Sequence, residues 1–260
     1  WWKMEVQKKL KYFDINTQQT LPIENGNIKP SILVKDPNPH MPLIDAICTR
    51  RTARAYDRNN PVSFDTFKWI IHHSMHAPSS CNEQKWKVLL IKDKSLITEL
   101  YERGSASFLK NSNQCFLLCY SNESDNNEWS DSIQSGAAFI NTFSLLAHSI
   151  GVGTCWIGHL PNKSEVKRMF GMHKMYDPVA LVSFGYYLSN LNMKSRKKNV
   201  DEIISLNKFK SVNLSFDNSR NTLVRSVLRY MYYKVPFFLR KKVKKYALRY
   251  EKKFYYENYD

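Results

Sequence analysis

Four short segments carry side chains whose types and spacing could do chemistry. In Arg50-Arg51-Thr52-Ala53-Arg54, three guanidiniums and a hydroxyl fall within five residues. A guanidinium presents forked donors that match a phosphate. Arg50 and Arg54 could converge on one anion if a helix continued through them; the alternative is a solvated basic helix end. Ala77-Pro78-Ser79-Ser80-Cys81-Asn82-Glu83-Gln84-Lys85-Trp86 packs hydroxyls and amides into one turn. Such groups can read the edge of a planar heterocycle, or merely build the turn. Gly151-Val152-Gly153-Thr154-Cys155-Trp156-Ile157-Gly158 is flanked by glycines, which let a backbone approach a flat ligand and expose its N–H groups. A plain helix-to-strand turn would look the same. Lys194-Ser195-Arg196-Lys197-Lys198 is a second cationic cluster, or a solvated loop.

The surrounding elements must place these segments. Leu43, Ile44 and Ile47 have helical spacing, so a short helix is expected over 42–50, just before the arginines. Ser63 is a candidate N-cap for a helix with Phe64, Phe67, Ile70 and Ile71 on its apolar face, ending before Pro78. Strands are expected at 86–91 and 115–120, with a helix near 94–103 between them. The longest helix should run over 131–150 and stop at Gly151 and Gly153, its Gly136-Ala137-Ala138 patch narrow enough for close packing. A strand at 155–157 follows, then a helix at 163–170 behind an Asn162/Glu165 capping box, a strand at 179–187 and a short helix at 199–207. Helices and strands mingle without βαβ alternation, which indicates an α+β domain. No glycine-rich nucleotide fingerprint follows a predicted strand, which argues against a Rossmann fold.

The 260 residues suffice for one sizeable core with appendages. Residues 1–40 have weak periodicity and form an N-terminal extension; the main domain spans 41–210; residues 211–260 form a C-terminal extension. The five cysteines show no disulfide pattern, and Cys115 and Cys119 are too far apart on a strand to share a zinc ion tightly, so they are small buried hydrophobes and no metal is expected. No apolar run is long enough to span a bilayer and Trp1-Trp2-Lys3 lacks a signal peptide's apolar core, so a cytoplasmic protein is the default. The net charge is +16, and residues 220–260 hold twelve Lys/Arg against three Asp/Glu. This amphipathic, aromatic stretch fits a clamp on another subunit or peripheral contact with an anionic membrane; nucleic acid is the least favoured partner.

Taken in order, the four segments resemble the nitroreductase family. Its Arg-Arg-Ser-x-Arg opening is met by Arg50 to Arg54, with Thr52 in place of serine. Its Pro-Ser-Ser-x-Asn-x-Gln-x-Trp stretch is met at every fixed place by Pro78 to Trp86, with Lys85 where proline is frequent. The long helix, the glycine-flanked segment and the late basic cluster complete the resemblance over about residues 42–206. It implies a central, mostly antiparallel sheet surrounded by helices in an intertwined homodimer, with FMN as cofactor. Arg50, Arg51, Thr52 and Arg54 would hold the phosphate, ribityl chain and ring edge, joined by Lys194 and Arg196. Pro78, Ser79, Ser80, Asn82 and Gln84 would reach the ring from the partner subunit, and Ile157 and Gly158 would lie along it. The implied activity is ping-pong transfer from NAD(P)H through FMN to a nitroaromatic, a quinone or a pathway-specific small molecule. No catalytic side chain is called for, because the chemistry is the cofactor's. The rival reading is a flavin-fold scaffold recruited to an anionic membrane by its basic tail.

Overall fold

The computed structural model describes residues 41–123, 126, 128–188 and 199–208, the backbone of 11–14 and 19–22, and the single positions 227, 230, 231, 235 and 239. The described residues fall into two compact units, one within 1–192 and the other within 193–250.

In the first unit, β1 (Lys11–Asp14) and β2 (Gln19–Pro22) pair as an antiparallel hairpin. The weak periodicity of residues 1–40 gave no sign of it. Helix α1 (Leu43–Thr49) starts behind Pro42, whose carbonyl accepts the N–H of Asp45 and of Ala46 at 3.0 Å each. Helix α2 (Phe64–Ser74) is capped by Ser63 Oγ, which accepts the Thr66 N–H at 3.0 Å. Then come β3 (Trp86–Ile91), α3 (Lys94–Glu102), a 3-10 turn (Ser107–Asn111), β4 (Cys115–Ser121), α4 (Asp131–Ser149), β5 (Val152–Ile157), α5 (Lys163–Met169) and β6 (Tyr176–Tyr186). Among the described residues of the second unit, α6 (Val200–Ile203) is the one named helix, shorter than its expected 199–207.

The sheet order is β3-β4-β6-β5, with every neighbouring pair antiparallel. This is the expected α+β class. Both faces are covered, so β4 is buried along its whole length, which explains its unbroken apolar run. Phe116 and Leu118 face α2 and α4, in a core built with Phe67, Phe139, Phe143 and Phe184. Cys115, Leu117 and Cys119 face the other way, toward Ile97 and Leu100 of α3 and Val166 of α5. Burial pushes the Cys115 and Cys119 thiols up to about 12, which makes them packing groups and not nucleophiles.

Two glycines let neighbouring chain approach closely. A Cβ on Gly136 would sit 2.8 Å from Val179 Cγ1, so α4 meets β6 at the patch its small residues marked. Gly153 does not end α4 as expected. Gly151, at φ +78°, makes the turn, and Gly153 is a strand residue pressed against Ala53 and Tyr187. The strand therefore begins at Val152 and not at Cys155.

Gly153→Ala would bring its Cβ to 2.6 Å from Tyr187 Cε1 and 2.7 Å from Ala53 Cβ. It should destabilise the fold by about 1–3 kcal/mol in urea unfolding, the usual cost of overpacking. Gly158→Ala meets nothing within 4 Å and should change stability by less than about 0.5 kcal/mol. Equal effects from the two would contradict this packing.

Candidate functional site

The cationic segment is positioned by the end of α1. The helix stops at Arg50, whose ψ of 131° turns the chain into an extended run. That run joins the free edge of β5: Thr52 bridges Thr154, and the Ala53 N–H donates to the Thr154 carbonyl at 2.9 Å. Further on, Tyr56 bridges Tyr187, and its hydroxyl lies 2.7 Å from the Ala53 carbonyl and 2.9 Å from Ser183 Oγ. No helical turn relates Arg50 to Arg54; a pinned extended strand does. Arg51 Nη1 turns back and donates to the carbonyls of Cys48 at 2.9 Å and Arg50 at 2.7 Å. Thr52 is exposed, and the Arg54 guanidinium lies 5.6 Å from the Phe108 ring centroid.

Ile157 and Gly158 lie at the far end of the same strand. The Ile157 side chain is in the core with Leu117 and Leu181 and is not free to lie along a ligand. Gly158 is exposed with open space around its Cα. Trp156, which sequence reasoning gave no role, stands between two buried neighbours with its ring half in solvent. Cys155 is buried, and burial pushes its thiol up to about 11 despite the nearby Arg54.

The Pro78–Gln84 loop is held by the N-terminal end of α4. The Ser80 N–H donates to Ser135 Oγ at 3.0 Å and the Ser80 hydroxyl to Asp131 Oδ2 at 2.9 Å. The Gln84 N–H donates to Ser79 Oγ at 3.1 Å, and Gln84 Nε2 to Asn82 Oδ1 at 2.7 Å. Cys81, Asn82 and Gln84 all have positive φ, at 49°, 55° and 52°. Non-glycine residues held there cost of order 1–3 kcal/mol each, and such strain gathers where a loop's side chains must be aimed. Beside the loop, Pro78, Asn82 and Gln84 join His72, Met75, His76 and Ala77 around an open cleft of about 420 Å³.

The structure does not bring the two segments together within one chain. The loop sits on Ser135 and Asp131, whereas the arginine segment is tied to His148 at the other end of α4. Ser135 and His148 are 13 residues apart on that helix, or about 20 Å at 1.5 Å per residue. The loop also leads into edge strand β3 and the arginines flank the opposite edge β5, about 14 Å across three strand spacings. Lys194 and Arg196 lie outside the described residues, as does the 220–260 stretch apart from its few single positions. No described helix is long and apolar enough to cross a membrane.

Sequence reasoning missed a buried polar chain. The Thr49 hydroxyl donates to the Asp45 carbonyl at 2.6 Å and lies 2.8 Å from His148 Nε2. His148 Nδ1 lies 2.7 Å from the Tyr187 hydroxyl. Since Thr49 uses its proton on Asp45, Nε2 carries a hydrogen toward Thr49 and Nδ1 accepts from Tyr187. The neutral ring is thus a donor at one nitrogen and an acceptor at the other. Burial first, then Arg50 and Arg51, push His148 down to about 4. The signal in the sequence was a histidine at an apolar position of α4, which reads equally well as an ordinary core residue.

The Nitroreductase family model matches residues 47–124 and 102–186. A protein of Archaeoglobus fulgidus named "Putative NADH dehydrogenase/NAD(P)H nitroreductase" is 25% identical over 144 residues, covering 54% of this chain and 82% of that one. An FMN-dependent nitroreductase from Clostridium difficile superposes with a TM-score of 0.56 at 21% identity, covering 64% of this chain and 99% of that one. A protein from Exiguobacterium sibiricum solved in complex with FMN superposes at 0.57 and 19% identity, covering 66% and 100%. At these identities the structural likeness speaks for the fold.

The His148 chain gives stability a definite pH dependence. Its ordinary value is 6.5 and its folded value about 4, so between them the unfolded state binds the extra proton. Stability should be full above about pH 6.5 and fall as pH drops toward 4, by about 3 kcal/mol in all. Urea unfolding of His148→Gln across this window should show a flatter slope than wild type. An unchanged slope would mean that His148 titrates normally.

Proposed function

We propose that this chain, which belongs to the nitroreductase family, is an FMN-dependent oxidoreductase that oxidises NAD(P)H and works as a homodimer. Each FMN would be shared. Arg50, Arg51, Thr52 and Arg54 of one chain, with Lys194 and Arg196, would grip the phosphate and ribityl chain. Pro78, Ser79, Ser80, Asn82 and Gln84 of the other would meet the ring. The placement of these two half-sites at opposite ends of α4 carries the proposal, because a second chain would bring unlike ends to one ligand. The name of the Archaeoglobus relative supports the nicotinamide donor, and the FMN complex of the Exiguobacterium neighbour supports the cofactor. The apolar residues Leu43, Ile44 and Ile47 of α1 and Trp129 and Ile133 near the start of α4 are exposed, so apolar surface stands ready for a second chain at both ends of that helix.

The residues present fit the cofactor. Open space at Gly158 and an exposed Thr52 flank one strand, which also brings the arginines close. When bound, FMN supplies two-electron transfer between the nicotinamide donor and a second small molecule, a nitroaromatic, a quinone or a pathway-specific acceptor. The chain's own work is to hold and orient. Arg50 and Arg54 donate charge-assisted hydrogen bonds to the phosphate. The Gly158 N–H is a donor at the open end of β5. Asn82 and Gln84, aimed by their strained backbone, read the heterocycle from the partner. Residues 41–210 would make up this catalytic body, with 1–40 and 211–260 as extensions.

The purified protein should be yellow and oxidise NAD(P)H with a quinone. Arg54→Ala should weaken FMN binding by about 1.5–3 kcal/mol in fluorescence titration, the worth of one hydrogen bond to a charged group. Wild-type affinity in both Arg50→Ala and Arg54→Ala would sink the phosphate assignment. Dilution to monomer, followed by sedimentation, should release the flavin; a monomer that keeps FMN would remove the shared site.

A further inference from the structure

We infer that His148 is a positioning residue for the phosphate grip: by hydrogen-bonding Thr49 and Tyr187 at once, it fixes both flanks of the Arg50–Arg54 segment. This rests on the proposed phosphate role of those arginines. Thr49 is the last residue of α1, directly before Arg50, and both Thr49 and His148 are buried. Tyr187 stands on the other flank. It bridges Tyr56, and its ring fills the space beside Gly153 where Ala53 also packs. One imidazole therefore links the start of the arginine run to its end.

The link matters because, among the described residues, it is the hydrogen bond that ties the end of α1 to α4. The outer face of α1, Leu43, Ile44 and Ile47, is exposed, and its inner face packs on α4. Free to slide along α4, α1 would carry Arg50 with it. The Thr49–His148 bond removes that freedom at the one residue that decides where Arg50 leaves the helix. Displacement by about 1 Å at a bidentate charge contact is enough to lose it, since its strength depends on geometry.

The groups facing His148 are Thr49, Arg50 and Arg51 from the end of α1 and Tyr187 from the segment after β6. Two of them are cations and the other two neutral hydroxyls. The imidazole thus anchors the arginine run without adding a charge of either sign.

The test compares FMN with riboflavin, which lacks the phosphate, in fluorescence titrations at neutral pH. Wild type should prefer FMN strongly. His148→Phe fills similar space but breaks both hydrogen bonds, and should cut that preference about tenfold, the equivalent of roughly one to two buried hydrogen bonds. His148→Gln, which can still donate toward Thr49, should restore most of it. Thr49→Val, nearly isosteric, provides the same reading if His148→Phe fails to fold, with a loss of a few-fold. A merely structural role would lower affinity for both flavins alike and leave their ratio unchanged, and that result in either variant overturns the inference. A wild type that binds FMN no better than riboflavin overturns it too, but by removing the phosphate assignment itself. A reduced ratio with Gln rescue supports it.

Discussion

The length of one helix constrains this molecule more than any other feature. The 19-residue helix α4 carries the Ser80 loop near one end and the Thr49–Arg50 corner near the other, and a straight helix cannot be shortened to bring them together. Under the proposed function, each end of α4 would serve a different half of a site. The N-terminal end, with Asp131 and Ser135, holds a loop of amides and hydroxyls. The C-terminal end, with His148, holds a strand of guanidiniums. The sheet obeys the same separation, since the two segments flank opposite edges, β3 and β5. In the proposed homodimer, a second copy of the chain turned about a two-fold axis would bring unlike ends together. The exposed apolar residues on α1 and near the start of α4 are where such a copy would bury surface.

The two halves are made rigid in different ways. The loop stores strain: three side chains lie in left-handed backbone geometry, held by the bonds from Ser80 to α4 and from Gln84 to Ser79. The arginine segment is unstrained but tethered, through Thr154 at its middle and Tyr56 and Tyr187 at its end. Gly153 and Gly185 make the tether possible. A Cβ at Gly185 would lie 2.8 Å from Tyr56 Cβ, so the sheet is thinned where the tyrosine must seat. In the proposed site, the strained loop would aim groups at ring atoms, and the tethered strand would hold groups that need only reach a compact anion.

Much of this was legible in the sequence. The Pro78 to Trp86 pattern placed a turn between a helix and a strand, and the structure has one there, held to α4 through Ser80. Helix starts at Ser63 and Asn162 were legible because capping is local, and both side chains accept the expected N–H. The uninterrupted run from Cys115 to Tyr120 signalled a central strand because burial on two faces leaves no room for polar alternation. What stayed hidden was tertiary. Gly153 reads as a terminator until Ala53 and Tyr187 are seen against it. The path after Arg50 could be helix or strand on propensity alone, and it is the free edge of β5 that decides. His148 was invisible because Thr49 and Tyr187, its partners, are 99 and 39 residues away.

Why an imidazole stands at position 148 follows from the charges around it. A site that collects guanidiniums to hold an anion must leave their field unspent. A carboxylate behind Arg50 and Arg51 could accept from Tyr187 but has no proton for Thr49, and it would neutralise the arginines before any ligand arrived. A lysine would add repulsion and, buried, would shed its proton or find no partner. An amide could bridge the two hydroxyls, but only at the reach its shorter side chain permits. A neutral imidazole is a donor on one side and an acceptor on the other, and its ring is apolar enough to be buried. The same burial and the same two arginines that hold it neutral near pH 7 are what its position requires. The electrostatics of the site and the packing of the core thus impose one condition on this residue: polar at both ring nitrogens, and uncharged.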